Sequence, residues 1–283
     1  MTQPDVWPAS LDTLEERRLH ECRLRPERAL GSLDEAHAFL RERTMLTRTQ
    51  DSALPSLFGA CHERPYKEGG RGFASWPATK YPWFGELAGR DDVYELSIHR
   101  GKSILMVAET AALADPLCRA ELERREAGRD DFAYLLRHLE QTGPSDLEDV
   151  KLELGWTAPR LRAARQPLER MGALVSHSVT VTTEAGSHVH TSMLARWDQV
   201  WVDRSPAGGL EELVVAGVRA AVIAPHAEVE QWFSWRWNGA GSLAAQLVAN
   251  GRLRRPAPGW VAANEEPLCD RGHATPNRSP ATT

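Results

Sequence analysis

Apolar positions along this chain recur mostly at helical spacing, with short alternating runs between them. The charged, proline-punctuated segment 1–30 carries one such stripe, which predicts a surface helix over Leu14–Leu24. Ser32-Leu33-Asp34-Glu35 then has capping-box chemistry, with Ala36, Phe39 and Leu40 as the apolar face of the next helix. Between Cys61 and Gly89, five glycines and three prolines interleave with Tyr66, Phe73, Trp76, Tyr81, Trp83 and Phe84. That mixture defeats regular structure and predicts a long aromatic loop. Val93–Ile98 and Ser103–Val107 read as two strands joined by His99-Arg100-Gly101-Lys102, and a helix is expected from about Asp115 to Glu126.

The stretch Asp131–Trp197 carries the clearest pattern. Phe132, Leu135, Leu136 and Leu139 stripe a helix that Gly143-Pro144 ends. Ser145-Asp146-Leu147-Glu148 opens a second helix through Leu154, closed by Gly155. Thr157 is placed to cap a third, with Leu161, Leu168 and Met171 inward and Gly172 as terminator; Pro167 predicts a kink or an earlier end. Leu174–Thr183 alternates, turns at Ala185-Gly186-Ser187 and returns through His188–Leu194. Three helices and a hairpin form the winged-helix order.

Leu210–Ile223, Glu228–Trp235 and Ser242–Ala249 repeat the helical part of this order. Leu168–Leu174 and Leu247–Leu253 share the pattern L-x-x-x-G-x-L, a helix stopping at Gly and passing into a strand. The expected fold class is therefore α+β, mostly α, built of tandem winged-helix modules, each a helix-turn-helix plus β-hairpin wing. The expected divisions are an N-terminal segment 1–30, a first module 31–130 with the aromatic loop, a central module 131–203, a C-terminal module 204–262 and a disordered tail 263–283.

Composition narrows the function classes. Of 283 residues, 42% are hydrophobic and 26% charged, within the range of globular proteins, and no apolar run reaches the length a bilayer demands. No membrane partner is expected. The opening residues lack a basic segment followed by an apolar one, so a cytoplasmic location is the expectation. Cys22, Cys61, Cys118 and Cys269 lie far apart and read as reduced thiols. The net charge of −5 argues against a uniformly basic nucleic-acid coat but leaves room for a local basic face.

One such face is the third central helix. Arg160, Arg162 and Arg165 stand near its beginning and Arg170 near its end, with Glu169 the sole acid between Thr157 and Met171. In a winged helix this element enters the major groove of double-stranded DNA, where Thr157 and these arginines would meet phosphates or guanine edges. A solvated helix face is the alternative. His188 and His190 share a strand face, but no third metal ligand is evident and a surface wing accounts for them, as a tail accounts for Cys269 and His273. No metal or cofactor is expected. The aromatic loop, with Lys67, Arg71 and Lys80 among its rings, suits base stacking, or its rings simply pin a glycine-rich loop. Trp232, Phe233, Trp235 and Trp237 read as core or as a contact between modules. Gln50-Asp51 is an amide and carboxylate pair beside the aromatic loop, able to position a water or to form a turn. Phosphate-binding glycine loops, nucleophile elbows and H-E-x-x-H are absent from the sequence.

Over residues 33–255 the chain resembles the AlkZ/YcaQ family of winged-helix DNA glycosylases, particularly its shorter AlkZ-related branch. The resemblance rests on FLRERTMLTRTQDSALPSLFGAC, on W-P-A-T-K-Y-P-W, on YELSIHRGKSILMV and on the L-x-x-x-G-x-L module with its wing. It implies stacked winged helices around a concave DNA channel, a monomer, and metal-independent excision of alkylated bases. The family's signature of Gln, an apolar residue, then Gln or Asp is replaced near the corresponding place by Thr47-Arg48-Thr49-Gln50-Asp51. No catalytic assignment is carried over. The alternative is a winged-helix transcriptional regulator without enzymatic activity, dimeric on a palindromic site.

Overall fold

The computed structural model describes residues 10–182, 188–205 and 207–264, by backbone alone at 178–182 and 188–190. The chain is α+β and helix-rich, with three small antiparallel sheets among the described residues. Helix α1 (Leu11–Glu21) is capped by Ser10, whose hydroxyl accepts from Thr13 N–H at 3.3 Å. It starts and ends three residues before the predicted helix. Its buried Leu14 packs with Cys22, Val222, Ile223 and Ala262, so its partner is the far end of the chain.

Helix α2 (Leu33–Arg43) buries Ala36, Phe39 and Leu40 as the stripe predicts. Ser32 accepts from Glu35 N–H, while Glu35 reaches past it to Gly31 N–H. Strand β1 (Met45–Thr47), helices α3 (Leu57–Cys61) and α4 (Trp83–Ala88), and strands β2 (Val93–His99) and β3 (Lys102–Val107) complete the first unit. The aromatic stretch is thus largely loop, but Trp83–Ala88 is helical because Phe84 and Leu87, three apart, bury one face. The hairpin closes on Arg100 and Gly101, both at positive φ (53° and 74°), the conformation a two-residue turn needs.

Helix α5 (Ala108–Glu126) begins directly after β3, seven residues before the expected start. Pro116 lies inside it, and Thr110, Ala111 and Ala114 bury its first turns without a strong amphipathic stripe. Helix α6 (Asp131–Thr142), strand β4 (Ser145–Asp146), helices α7 (Leu147–Glu153) and α8 (Ala158–Arg170), and strands β5 (Leu174–Thr182) and β6 (His188–Arg196) follow. Asp146, rather than Ser145, caps α7, accepting from Glu148 N–H at 2.8 Å; the Ser145 hydroxyl donates to Gly143 O instead. Thr157 occupies the α8 N-cap position without a capping hydrogen bond from its side chain. Helix α8 runs through Pro167 to Arg170, so the expected earlier end does not occur: Pro167 costs one backbone donor while Leu161, Ala164 and Leu168 keep the helix anchored.

Helix α9 (Trp197–Val200) leads to α10 (Leu210–Ala221), β7 (Ala224–Pro225), α11 (His226–Val229), α12 (Leu243–Ala249), β8 (Leu253–Arg254) and β9 (Trp260–Ala263). The helix expected over Glu228–Trp235 instead spans His226–Val229, and Trp232, Phe233 and Trp235 follow it, all buried. These rings join a core that also holds Met45, Leu54, Ile98, Met106, Val175, Trp197, Val214 and Val261, so one core unites distant parts of the chain.

Element order repeats three times: helix, short strand, two helices, two strands. In each repeat the short first strand pairs with the last, giving the orders β1-β3-β2, β4-β6-β5 and β7-β9-β8. The shared L-x-x-x-G-x-L has a common geometry. Gly172 and Gly251 both lie at φ 70°, and the next N–H returns to Leu168 O (3.0 Å) or Leu247 O (2.9 Å), ending each helix alike. The turn 183–187 and the tail from 265, with Cys269 and His273, lie outside the described residues, as do the side chains of His188 and His190. Cys22, Cys61 and Cys118 are free and buried. No described helix is long and apolar enough to cross a membrane.

Candidate functional site

The arginines of α8 do not form one face. Their spacing turns them to different sides of a 3.6-residue helix, and two are held by acids. Arg160 makes a two-pronged contact with Asp131 (2.7 and 2.9 Å) and lies over the Trp156 ring; Arg165 lies 3.2 Å from Glu169. Thr157 and Arg162 are exposed, and Arg162 has no ion pair among the described residues. Arg170 points elsewhere, toward the first hairpin. Its guanidinium lies so close over Gly101 that a Cβ there would come within 2.9 Å of Nε.

That hairpin borders a cavity of about 300 Å³. One wall is the segment after β1, with Thr47, Arg48, Thr49 and Asp51; another is the hairpin, with Ser97, His99, Gly101, Lys102 and Ser103; Trp76 of the aromatic loop closes a third. Local chemistry shapes the first wall. Thr47 donates both N–H and hydroxyl to Pro55 O, and Phe58 N–H returns to Arg48 O, so residues 48–52 bow outward between anchored ends. The second wall owes its shape to an irregularity in β2–β3 pairing between Leu96 and His99, which re-aims His99.

Asp51 sits at the centre of the charges. Lys102 Nζ is hydrogen-bonded to its Oδ2, and its Oδ1 faces His99 Nε2 at 3.6 Å with no hydrogen-bond partner among the described residues. Burial pushes this carboxyl up, but Lys102, His99 and Arg100 together outweigh it and hold Asp51 below the usual carboxylate range. His99 is fully buried. Burial lowers its pKa, Asp51 offsets this in part, and the imidazole is neutral at pH 7. Neither ring nitrogen has a hydrogen-bond partner of good geometry among the described residues. His99 and Asp51 Oδ1 are closed off from the cavity, so the part of this group that can hold and polarise a water is the partly exposed remainder of the Asp51 carboxylate, beside Lys102.

The surroundings are cationic and aromatic. Arg48 lies over the rings of Trp76 (5.0 Å) and Phe84 (4.3 Å), with Glu95 at 3.5 Å; burial raises the Glu95 pKa. Arg100 donates to Asp51 O and to Gln231 O. Gln50, by contrast, is not part of the cavity wall: it is exposed, and its Oε1 lies 3.1 Å from where a Cβ on Gly59 would stand. Of the Gln50-Asp51 pair only the carboxylate reaches the cavity. Of the α8 set only Arg170 reaches its rim. In the sequence His99 and Lys102 stand as turn residues alone, with an ionisable pair flanking Arg-Gly as the sole hint of a further role.

Among the described residues no group of three His, Cys, Asp or Glu is arranged to hold a metal. Compared with protein-family models, curated proteins and solved structures, the chain matches none.

Proposed function

We propose that this is a double-stranded-DNA-binding protein of three tandem winged-helix modules, acting as a monomer, and that the Asp51 cavity releases a damaged base from its sugar. The observation that carries the reading is the partly exposed Asp51 carboxylate, backed by a neutral His99 and paired with Lys102, on the wall of a cavity large enough for a base. The repeated helix, strand, two helices and hairpin support the modular part, since that order suits a helix for one groove and a hairpin beside it. The segment Thr47–Asp51 also lies in the stretch whose sequence resembles the glycosylases.

In this reading the water oxygen bonds to the anomeric carbon. The carbon–nitrogen bond breaks with its electron pair leaving on the base, and the water's proton passes to Asp51. An alkylated, cationic base needs no proton to depart, so a carboxylate that stays ionised stabilises the positive sugar and orients the water. Neutral His99 stands behind the carboxylate and faces its Oδ1, and Trp76 offers a planar wall to the base. Lys102, Arg170 and Arg100 meet phosphates at the rim, alongside Thr157, Arg160, Arg162 and Arg165 of α8.

Gel-shift and base-release assays on an alkylated duplex at low salt test this. A shift with release is the expected result; neither shift nor release overturns the reading. A shift at a palindromic site by a dimer, without release, favours the regulator instead, for which the exposed Thr157 and Arg162 would be the readers.

A further inference from the structure

Trp76 has two sides of interest. One borders the cavity, and the other meets a group of rings that stand in solvent: Phe73 lies 5.1 Å from Trp76, 5.4 Å from Tyr66 and 5.2 Å from Tyr81. Tyr66 is 61% exposed, Phe73 48% and Tyr81 38%. Pinning the glycine-rich loop does not account for these three. The loop holds itself by backbone hydrogen bonds, Tyr66 N–H to Trp76 O and Lys67 N–H to Ala74 O, while Trp76 packs inward on Phe58. Contiguous exposed rings of this kind mark a contact surface.

Charge decides the partner. Arg64, Lys67 and Arg71 flank the rings, all are exposed, and none forms an ion pair among the described residues. Glu68 is the only acid from Arg64 to Gly85. A surface of rings edged with free cations fits planar bases on a phosphate backbone, and it fits a proline-rich peptide poorly because the cations would go unmatched. We infer that Tyr66, Phe73 and Tyr81 form a stacking platform for unpaired nucleotides next to the one that enters the Asp51 cavity. This rests on the nucleic-acid reading of that cavity and deepens it: the preferred substrate is a locally opened strand.

The test titrates the full chain, by fluorescence anisotropy, against three probes: a paired 20-mer duplex, the same duplex with a three-nucleotide bulge, and a proline-rich peptide. The expected result is binding to the bulged duplex about tenfold tighter than to the paired one. Phe73→Ala and Tyr66→Ala should remove that preference while leaving paired-duplex affinity in place. Phe73→Leu keeps an apolar side chain for the loop but no ring, and it should lose the preference with an unchanged melting curve. Equal affinity for both duplexes, or a preference that survives all three variants, overturns the platform while leaving duplex binding standing. Bulge binding without any binding of paired duplex would instead overturn the winged-helix reading alone. Ring-dependent capture of the peptide in place of DNA overturns the platform as proposed.

Discussion

Helix α8 and the Asp51 cavity make an instructive pair. The helix has the denser run of cations in sequence, yet Asp131 and Glu169 occupy two of them and the remainder diverge around the axis. The cavity gathers its charges from segments roughly fifty residues apart, and these are paired as well, Lys102 with Asp51 and Arg48 with Glu95, but they converge on one open space. Charge counted along a chain is therefore a weak guide to charge on offer; what matters is where folding gathers it. The same contrast holds for titratable groups. Glu169 accepts from Ser176 at 2.5 Å and is satisfied, whereas His99 is enclosed and unsatisfied.

Substitutions can sharpen or break this contrast. Asp51→Asn should slow base release by about 100-fold or more, the scale for losing a general base, with the gel shift retained; release at the wild-type rate would return the cavity to a merely structural part. His99→Gln addresses the buried ring through pH. Because the folded His99 pKa lies below its ordinary value of 6.5, the unfolded chain binds the extra proton first. Stability should then fall as pH drops through 6.5 toward the folded value, by at most about 1.4 kcal/mol per pH unit. Urea titrations at pH 7.5 and 5.5 should show a smaller difference in the variant than in the wild type.

Arg170→Ala should weaken DNA binding several-fold and flatten the logarithmic salt dependence by about one unit, if it meets one phosphate, and Lys102→Ala, whose ammonium is paired with Asp51, should do so less. Arg160→Ala should change slope and affinity least, since its guanidinium already belongs to Asp131. An equal loss from Arg160→Ala would reverse the ranking of the two regions.

How far the sequence reveals this molecule depends on range. Helix α6, the end of α8 and the β5–β6 hairpin were legible because stripe, alternation and glycine stops are local signals, as the matching geometry at Gly172 and Gly251 illustrates. Helix α4 was hidden among aromatic and glycine residues, since its single buried face is only two side chains wide. The early start of α5 was hidden because Pro116, inside the helix, reads as a boundary. Helix α11 stops short of three large rings that the common core captures. The cavity was the least legible of all: Asp51, Trp76 and His99 meet only through the tertiary fold of the first repeat, Arg170 joins its rim from the second, and nothing in the spacing of Thr47–Asp51 announces a histidine facing it.

The tip of the first hairpin is also riveted to the last repeat. Ile98 O accepts both the N–H and the hydroxyl of Ser234 at 3.0 Å, and Arg100 grips Gln231 O. A chain cut after residue 209 would keep every cavity-lining residue in its covalent sequence and still lose the abutment that aims His99. The last repeat, which contributes no wall to the cavity, thus holds the hairpin as a workbench clamp holds a tool.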